Sequence, residues 1–262
     1  MTARNTLKIS QKFVIKIGSS LITKTSGDVN KVILKNVVKD IVWLINKKKD
    51  VVVVSSGAIS LGKGQLNLGD NLTLSESQAA AARGQIELMS AWKNEFKKYN
   101  IEVAQLLLSP LDIQNKNSSK NAIATIKNLV KFNCVPVINE NDSTSNEEIK
   151  FGDNDILAAK ISRMIQADNL ILLSNVDGLL KDPLKINQSS NLIREIDKIT
   201  NSIKNLAGDA SKYGKGGMIS KIKAAQICIK SKCSVIITSG LKNEPIRSLL
   251  KNDTKSTIFL AT

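Results

Sequence analysis

The sequence predicts an α/β protein whose mostly parallel sheet is covered by helices on both faces. Three observations carry this. Short apolar runs alternate with segments of helical period along the chain, the pattern of successive strand-helix-strand units. The runs are nearly continuous in apolar residues, as in VVVV at Val51–Val54, which suits strands buried on both sides. A chain of 262 residues with 42% hydrophobic content is also long enough to bury a sizeable core.

Taken in order, strands are expected at Phe13–Ile17, Val51–Ser55, Val103–Leu108, Val135–Ile138, Leu170–Ser174 and Val235–Thr238. Each is a short run rich in branched apolar residues. Helices are expected between them at Lys31–Asn46, Ser75–Tyr99, Ser119–Phe132, Asp155–Ile165 and Ile219–Lys230, where apolar residues recur at helical spacing. Between Lys181 and Ser211 periodicity is weak and polar residues dominate, so a hairpin or mobile flap is expected there rather than core. No proline-rich or glycine-serine linker divides the chain, which favours two lobes of one continuous sheet.

The chain contains no histidine. That removes Ser-His-Asp and Cys-His nucleophile systems, an imidazole base and any His-based zinc site. Cys134, Cys228 and Cys233 lie in apolar settings without a C-x-x-C pair and read as buried, reduced thiols. What remains is chemistry run by amides, carboxylates, lysines and loop N–H groups, as in sites that transfer phosphoryl groups by positioning and charge neutralisation.

The net charge of +15 raises nucleic-acid binding, since lysines that neutralise phosphates release counterions. Aromatics are only 3% and the lysines are spread along helices, so a solvated basic surface is the stronger reading and nucleic acid is not an expected partner. The opening MTARNTLKISQK lacks the apolar core of a signal peptide, and no apolar run approaches the ~20 residues of a membrane helix. A soluble, cytoplasmic protein is expected.

Four segments place small or polar residues at the carboxyl end of an expected strand, where open α/β sheets bind ligands. In VIKIGSS, Lys16 lies inside the strand and Gly18 follows it. A desolvated ammonium calls for an anion, and glycine permits close backbone approach to a phosphate. The alternative is a lysine facing solvent from an edge strand. In VVVVSSGAIS, Ser56, Gly57 and Ala58 open a helical pattern whose amides suit a carboxylate or phosphate, although serine and glycine also make ordinary turns. The third segment, VPVINENDSTSNEEIKFGDND, packs Asn139, Asn141, Asp142, Asp153, Asn154 and Asp155 around two turns. Asp153 or Asn154 can cap the following helix, leaving Asp155 in its first turn to orient lysines. The fourth, YGKGGMISK at Tyr213–Lys221, is a glycine loop feeding a helix, with neither P-loop nor dinucleotide-fold spacing but with exposed amides and a lysine one turn in.

Laid side by side, these segments resemble the amino acid kinase family, and within it the members that phosphorylate glutamate. VIKIGSSLIT, VVVVSSGAIS, PVINENDS with IKFGDND, and GKGGMISKIKAA carry the resemblance, with QAAAARGQIELMSAW and AQLLLSPLDI between them. It covers essentially the whole chain in the same order. It implies a three-layer α/β/α sandwich around a mainly parallel sheet, with an acceptor-binding lobe over about residues 1–165 and a nucleotide-binding lobe over about 166–262. It implies transfer of the ATP γ-phosphoryl group to the side-chain carboxylate of L-glutamate, a step toward proline.

On that resemblance Lys16 and Lys221 neutralise the transferring phosphoryl group and Asp155 holds both. Ser56, Gly57 and Ala58 lie against the acceptor, Asp142 faces its ammonium, and Asn139 and Asn154 bond its carboxylates. ATP rests on Lys16, Gly18, Ser174, Asn175 and the loop Lys215, Gly216, Gly217, Met218, Ile219, Ser220 and Lys221. No side chain is expected to ligate a metal directly; Mg²⁺ is held mainly through phosphates and water. Relatives in the family are often oligomers, which implies a homo-oligomer. The family usually shows Thr-Asp where this chain has Ser174-Asn175, which keeps a hydroxyl and loses a charge. Many bacterial relatives continue into an RNA-binding-like PUA domain, whereas this sequence stops at Thr262, so no RNA role is expected by that route. Two other readings stay open: a different acceptor on the same fold (acetylglutamate, aspartate, carbamate or a nucleoside monophosphate), or a basic binding protein without catalysis.

Overall fold

In the computed structural model, residues 7–144, 153–182, 189–207, 217–251 and 254–261 are described. Their strands are β1 (Lys12–Ile17), β2 (Asp50–Ser55), β3 (Glu102–Leu108), β4 (Cys134–Glu140), β5 (Asn169–Ser174), β6 (Glu195–Ile196), β7 (Ser234–Ser239) and β8 (Ser256–Phe259). They form one sheet in the order β3-β4-β2-β1-β5-β7-β8-β6. Every adjacent pair is parallel except β7 and β8. The mainly parallel sheet expected from the apolar runs is therefore present and continuous.

The helices are α1 (Ser19–Ile22), α2 (Lys31–Asn46), α3 (Ala58–Gln65), α4 (Leu74–Lys97), α5 (Pro110–Gln114), α6 (Lys116–Lys131), α7 (Asn154–Ile165), α8 (Asn201–Asn205), α9 (Met218–Ile229) and α10 (Pro245–Leu250). Strand alternation divides the core into two layers. Phe13, Ile15 and Ile17 of β1 join Val51, Val53 and Ile171 beneath α2, α3 and α4. Val14, Val52, Val54 and Leu172 meet α6, α7 and α9 on the other face. Lys16 shares the face of Val14, so it points toward α7 and α9.

Local chemistry sets the helix starts. Thr73 and Glu76 close a capping box on α4, and Ser109 with Asp112 does the same for α5, satisfying orphan N–H groups at those termini. Trp92 and Phe96 of α4 are fully buried and stacked at 5.9 Å between centroids. Gly62 and Gly84 let α3 lie directly on α4, since a Cβ at either would run into backbone of the other helix.

Two expectations need correction. The Lys181–Ser211 segment is not all peripheral: Leu192 and Ile196 are buried, Leu180 bridges Leu192, and β6 extends the sheet beside β8. Its few apolar residues are isolated among polar ones, so they showed no period. Residues 183–188 and 208–211 of that segment lie outside the described residues. The edge-strand alternative for Lys16 also fails, because β1 is paired on both sides, by β2 and β5.

Candidate active site

The chain order of the strands reverses between β1 and β5: β2, β3 and β4 lie on one side and β7, β8 and β6 on the other. Such switch points open a crevice at the carboxyl ends of the strands. Lys16 and Gly18 come from the end of β1, Ser174 from the end of β5, and Gly18 N–H donates to Leu173 O across the gap at 3.4 Å.

Asp155, in the first turn of α7, is fully buried. Asp153 caps that helix, its Oδ1 accepting from Asp155 N at 2.9 Å. Lys16 Nζ lies 2.5 Å from Asp155 Oδ1, and Lys221 Nζ, in the first turn of α9, lies 3.0 Å from Asp155 Oδ2. Both lysines are only 5% exposed. Lys16 also stands 3.8 Å from Asp153 Oδ1. Two buried ammonium groups thus sit on opposite oxygens of one buried carboxylate. A buried charge without a partner is costly, so Asp155 is what lets both cations occupy the crevice. An ammonium carries three donors, and pairing with Asp155 is compatible with a second anionic partner.

The amide cluster forms the neighbouring wall. Asn154 Nδ2 donates to Ser55 O at 2.8 Å and to Asn139 Oδ1 at 2.7 Å. Asn139 Nδ2 donates to Gln85 Oε1 at 2.9 Å, and Gln85 Nε2 to Gln105 Oε1 at 3.1 Å. Trp92 Nε1 donates to Ser55 Oγ at 3.1 Å, fixing the end of β2. Gly57 stands at the start of α3 with φ of 107°, a left-handed conformation that favours glycine. Ala58 and Asp142 line one small cleft, together with Gln85 and Glu140. A larger cavity lined by Phe13, Trp43, Leu44 and Lys47 lies at the amino end of β1 and contains none of the candidate residues.

On the other flank, Gly217 precedes α9, and Met218, Ile219 and Ser220 form its first turn. Ser220 Oγ is buried without a hydrogen-bond partner among the described residues. Ser174 is buried and donates to Asn175 Oδ1 at 3.3 Å, while Asn175 is exposed. Lys215 and Gly216 lie outside the described residues.

The geometry therefore brings Lys16, Asp155 and Lys221 together, and joins Asn139 and Asn154 to Ser55 in an adjoining cluster. Sequence reasoning missed Gln85 and Gln105. Both fall in segments that carry the family resemblance, yet a lone glutamine in a helix or strand signals no chemistry by itself. It also read Asp153 only as a possible cap, not as a neighbour of Lys16.

A model of the amino acid kinase family matches residues 11–239. A glutamate 5-kinase from Pelagibacter ubique is 44% identical over 256 residues, covering 97% of this chain and 69% of that protein. One from Clostridium acetobutylicum is 41% identical over 251 residues, covering 95% and 94%. Other curated relatives are longer, and the chain spans about two thirds of their length, 66% and 67% in two cases. The isopentenyl phosphate kinase of T. acidophilum, solved as a product complex, aligns with a TM-score of 0.64 over 95% of this chain and 100% of that one. At 18% identity this likeness speaks to the fold. A family model reaching from β1 to β7, with relatives that match this chain almost end to end, establishes that this chain belongs to the amino acid kinase family.

Proposed function

We propose that this chain transfers the γ-phosphoryl group of ATP to the side-chain carboxylate of L-glutamate, giving L-glutamyl 5-phosphate on the route to proline. The observation that carries the reading is the convergence of Lys16 and Lys221 on Asp155 at the sheet's switch point. Relatives at 41 to 44% identity named glutamate 5-kinase supply the acceptor.

A carboxylate with an ordinary pKa near ~4 is already ionised at neutral pH. It attacks phosphorus without a base, so a chain lacking histidine loses nothing. Catalysis then rests on positioning and on stabilising negative charge on the phosphoryl oxygens. Lys16 and Lys221 supply that charge, and Asp155 keeps them aimed while balancing part of it between turnovers. Gly18 follows Lys16 at the end of β1, and a Cβ there would meet Lys16 Nζ only in ordinary contact at 3.9 Å, so its part in this reading is backbone approach to the phosphates. On this reading Ser220 Oγ, buried and without a hydrogen-bond partner among the described residues, meets a nucleotide phosphate at the start of α9. Ser174 ends β5 and Asn175 follows it, both on the nucleotide side of this reading, and the loop including Lys215 and Gly216 belongs to the same reading.

Mg²⁺ fits this donor set as an ion carried by phosphates and water, with Asp153 Oδ2, buried and without a hydrogen-bond partner among the described residues, as the protein oxygen able to receive its hydration shell. When bound it supplies further neutralisation of the phosphates. On the acceptor side Ser56, Gly57 and Ala58 approach the glutamate backbone, and Asp142 faces its ammonium. Among the described residues no helix is long and apolar enough to cross a membrane; the reading places the protein in the cytoplasm as a homo-oligomer.

The test is trapping of acyl phosphate by hydroxylamine with ATP and Mg²⁺, run side by side on glutamate, N-acetylglutamate, aspartate and a nucleoside monophosphate. Hydroxamate formed from glutamate, with at least tenfold preference, supports the reading. No product from glutamate, or a preference for N-acetylglutamate, overturns it.

A further inference from the structure

The chain of side-chain amides from Gln105 to Asn154 has its polarity dictated by two backbone groups. Ser55 O can only accept, so the atom of Asn154 at 2.8 Å from it is Nδ2. Glu140 N–H can only donate, so the atom of Asn139 at 2.9 Å from it is Oδ1. These two anchors agree at the contact between them, where Asn154 Nδ2 donates to Asn139 Oδ1. Asn139 must then turn Nδ2 toward Gln85, which answers with Oε1, and Gln85 Nε2 is left to donate to Gln105 Oε1. Reversing any one amide would set two donors or two acceptors face to face.

Both N–H donors of Asn154 are spent within the protein, so its remaining polar atom is Oδ1, an acceptor. The small cleft at Gln85, two links along this chain of amides from Asn154, is lined by Asp142 and Glu140, whose carboxylates also accept when ionised. We propose that Gln85 is a positioning residue that, through Asn139, holds Asn154 with its acceptor toward the substrate, so that this wall selects a free ammonium and disfavours an acylated amine. The proposal rests on the glutamate-phosphorylating reading above and assigns Asn154 to the ammonium rather than to a carboxylate.

Gln85 is only 8% exposed and Asn139 only 2%. Without the acceptor at position 85, a buried Asn139 N–H loses its partner, and the Asn139 side chain must shift to regain one. That shift loosens the bond from Asn154 Nδ2 to Asn139 Oδ1 and releases the polarity of the wall.

Steady-state kinetics on Gln85→Met, Gln85→Glu and Gln105→Met test this, with glutamate and N-acetylglutamate as acceptors. Gln85→Met should raise KM for glutamate about 30-fold, the scale of a lost hydrogen bond to a charged group, with KM for ATP within about twofold. The ratio of glutamate to N-acetylglutamate efficiency should fall by about tenfold or more. Gln85→Glu keeps an acceptor for Asn139 Nδ2 and should recover KM for glutamate to within about fivefold of the native protein. Gln105→Met, at an exposed site where misfolding is not the concern, should raise KM only a few-fold. Unchanged KM and acceptor ratio in Gln85→Met, equal changes in both KM values, or no recovery with Glu each overturn the proposal while native activity on glutamate stands. A native protein inactive on glutamate defeats the functional reading itself, and this inference with it.

Discussion

Lys16 and Lys221, one from the first strand and one from a helix near the end of the chain, bind the two oxygens of the same carboxylate, that of Asp155. The arrangement is tripartite in sequence and single in space. β1, α7 and α9 each contribute one group, and α7 and α9 pack on the same face of the sheet as the Lys16 side chain. A phosphoryl group that reaches one lysine is therefore within the field of both.

Asp155→Asn keeps the shape of the side chain and removes its charge. It leaves two buried ammonium groups without their shared counter-ion, a loss of roughly 3–5 kcal/mol in stability. Turnover should fall by about 10²–10³-fold because the lysines are no longer held in register. Chemical denaturation and kcat measured on the same preparation check both. A variant with native kcat contradicts the aiming role.

Asp40 gives a pH signature independent of the active site. It is fully buried in α2, its Oδ2 accepts from Ile246 N at 2.6 Å and Arg247 N at 3.1 Å, and Arg247 Nε stands 3.8 Å from Oδ1. Burial outweighs these bonds and pushes its pKa up to about 6 from the ordinary 3.8. The folded protein therefore holds a proton that the unfolded chain releases between about pH 3.8 and 6. Stability from this group is complete below that window and is lost as pH rises through about 6, by roughly 3 kcal/mol. The difference in unfolding free energy between the native protein and Asp40→Asn, followed from pH 4.5 to 7.5, should move against the native protein as pH rises. A flat difference contradicts the buried-carboxylate account.

Gly84→Ala should be severe although it removes no charge and no hydrogen bond. Its Cβ would enter the van der Waals shell of Ala58 O and approach Gly62 N to 2.5 Å. Overpacking of this kind costs roughly 3 kcal/mol or more, several degrees in Tm. Because Ala58 lines the small cleft proposed for the acceptor, KM for the acceptor should rise as well. Thermal melts with and without acceptor check the pair of effects.

Much of the fold was legible because β1, β2, β4, β5 and β7 are apolar runs with turn residues at their ends. β6 and β8 were not: one has two residues and the other four, too short for any period. The helical start at Ser56–Ala58 was legible, but the extent of α3 was not, since Gly62 and Gly64 are poor helix formers; in the fold they permit contact with α4 and with Gly27. At the site, Lys16 announced itself as a charge within an apolar strand, and Asp155 as a carboxylate at a helix start. That Lys221 would meet them was implied by the family resemblance and by no local pattern; in the fold it follows from the packing of α9 against α7. The orientation of Asn139 and Asn154 was likewise invisible, since it descends from backbone atoms of Ser55 and Glu140.

The most direct measurement is a double-mutant cycle on kcat for glutamate phosphorylation with Lys16→Met, Lys221→Met and the double variant. Groups that act as one unit on one transferring phosphate are strongly non-additive. Each single substitution should lower kcat by about 10³-fold, and the double variant by little more than the worse single. Losses that multiply, toward about 10⁶-fold, or a single variant with near-native kcat, would contradict a shared centre at Asp155.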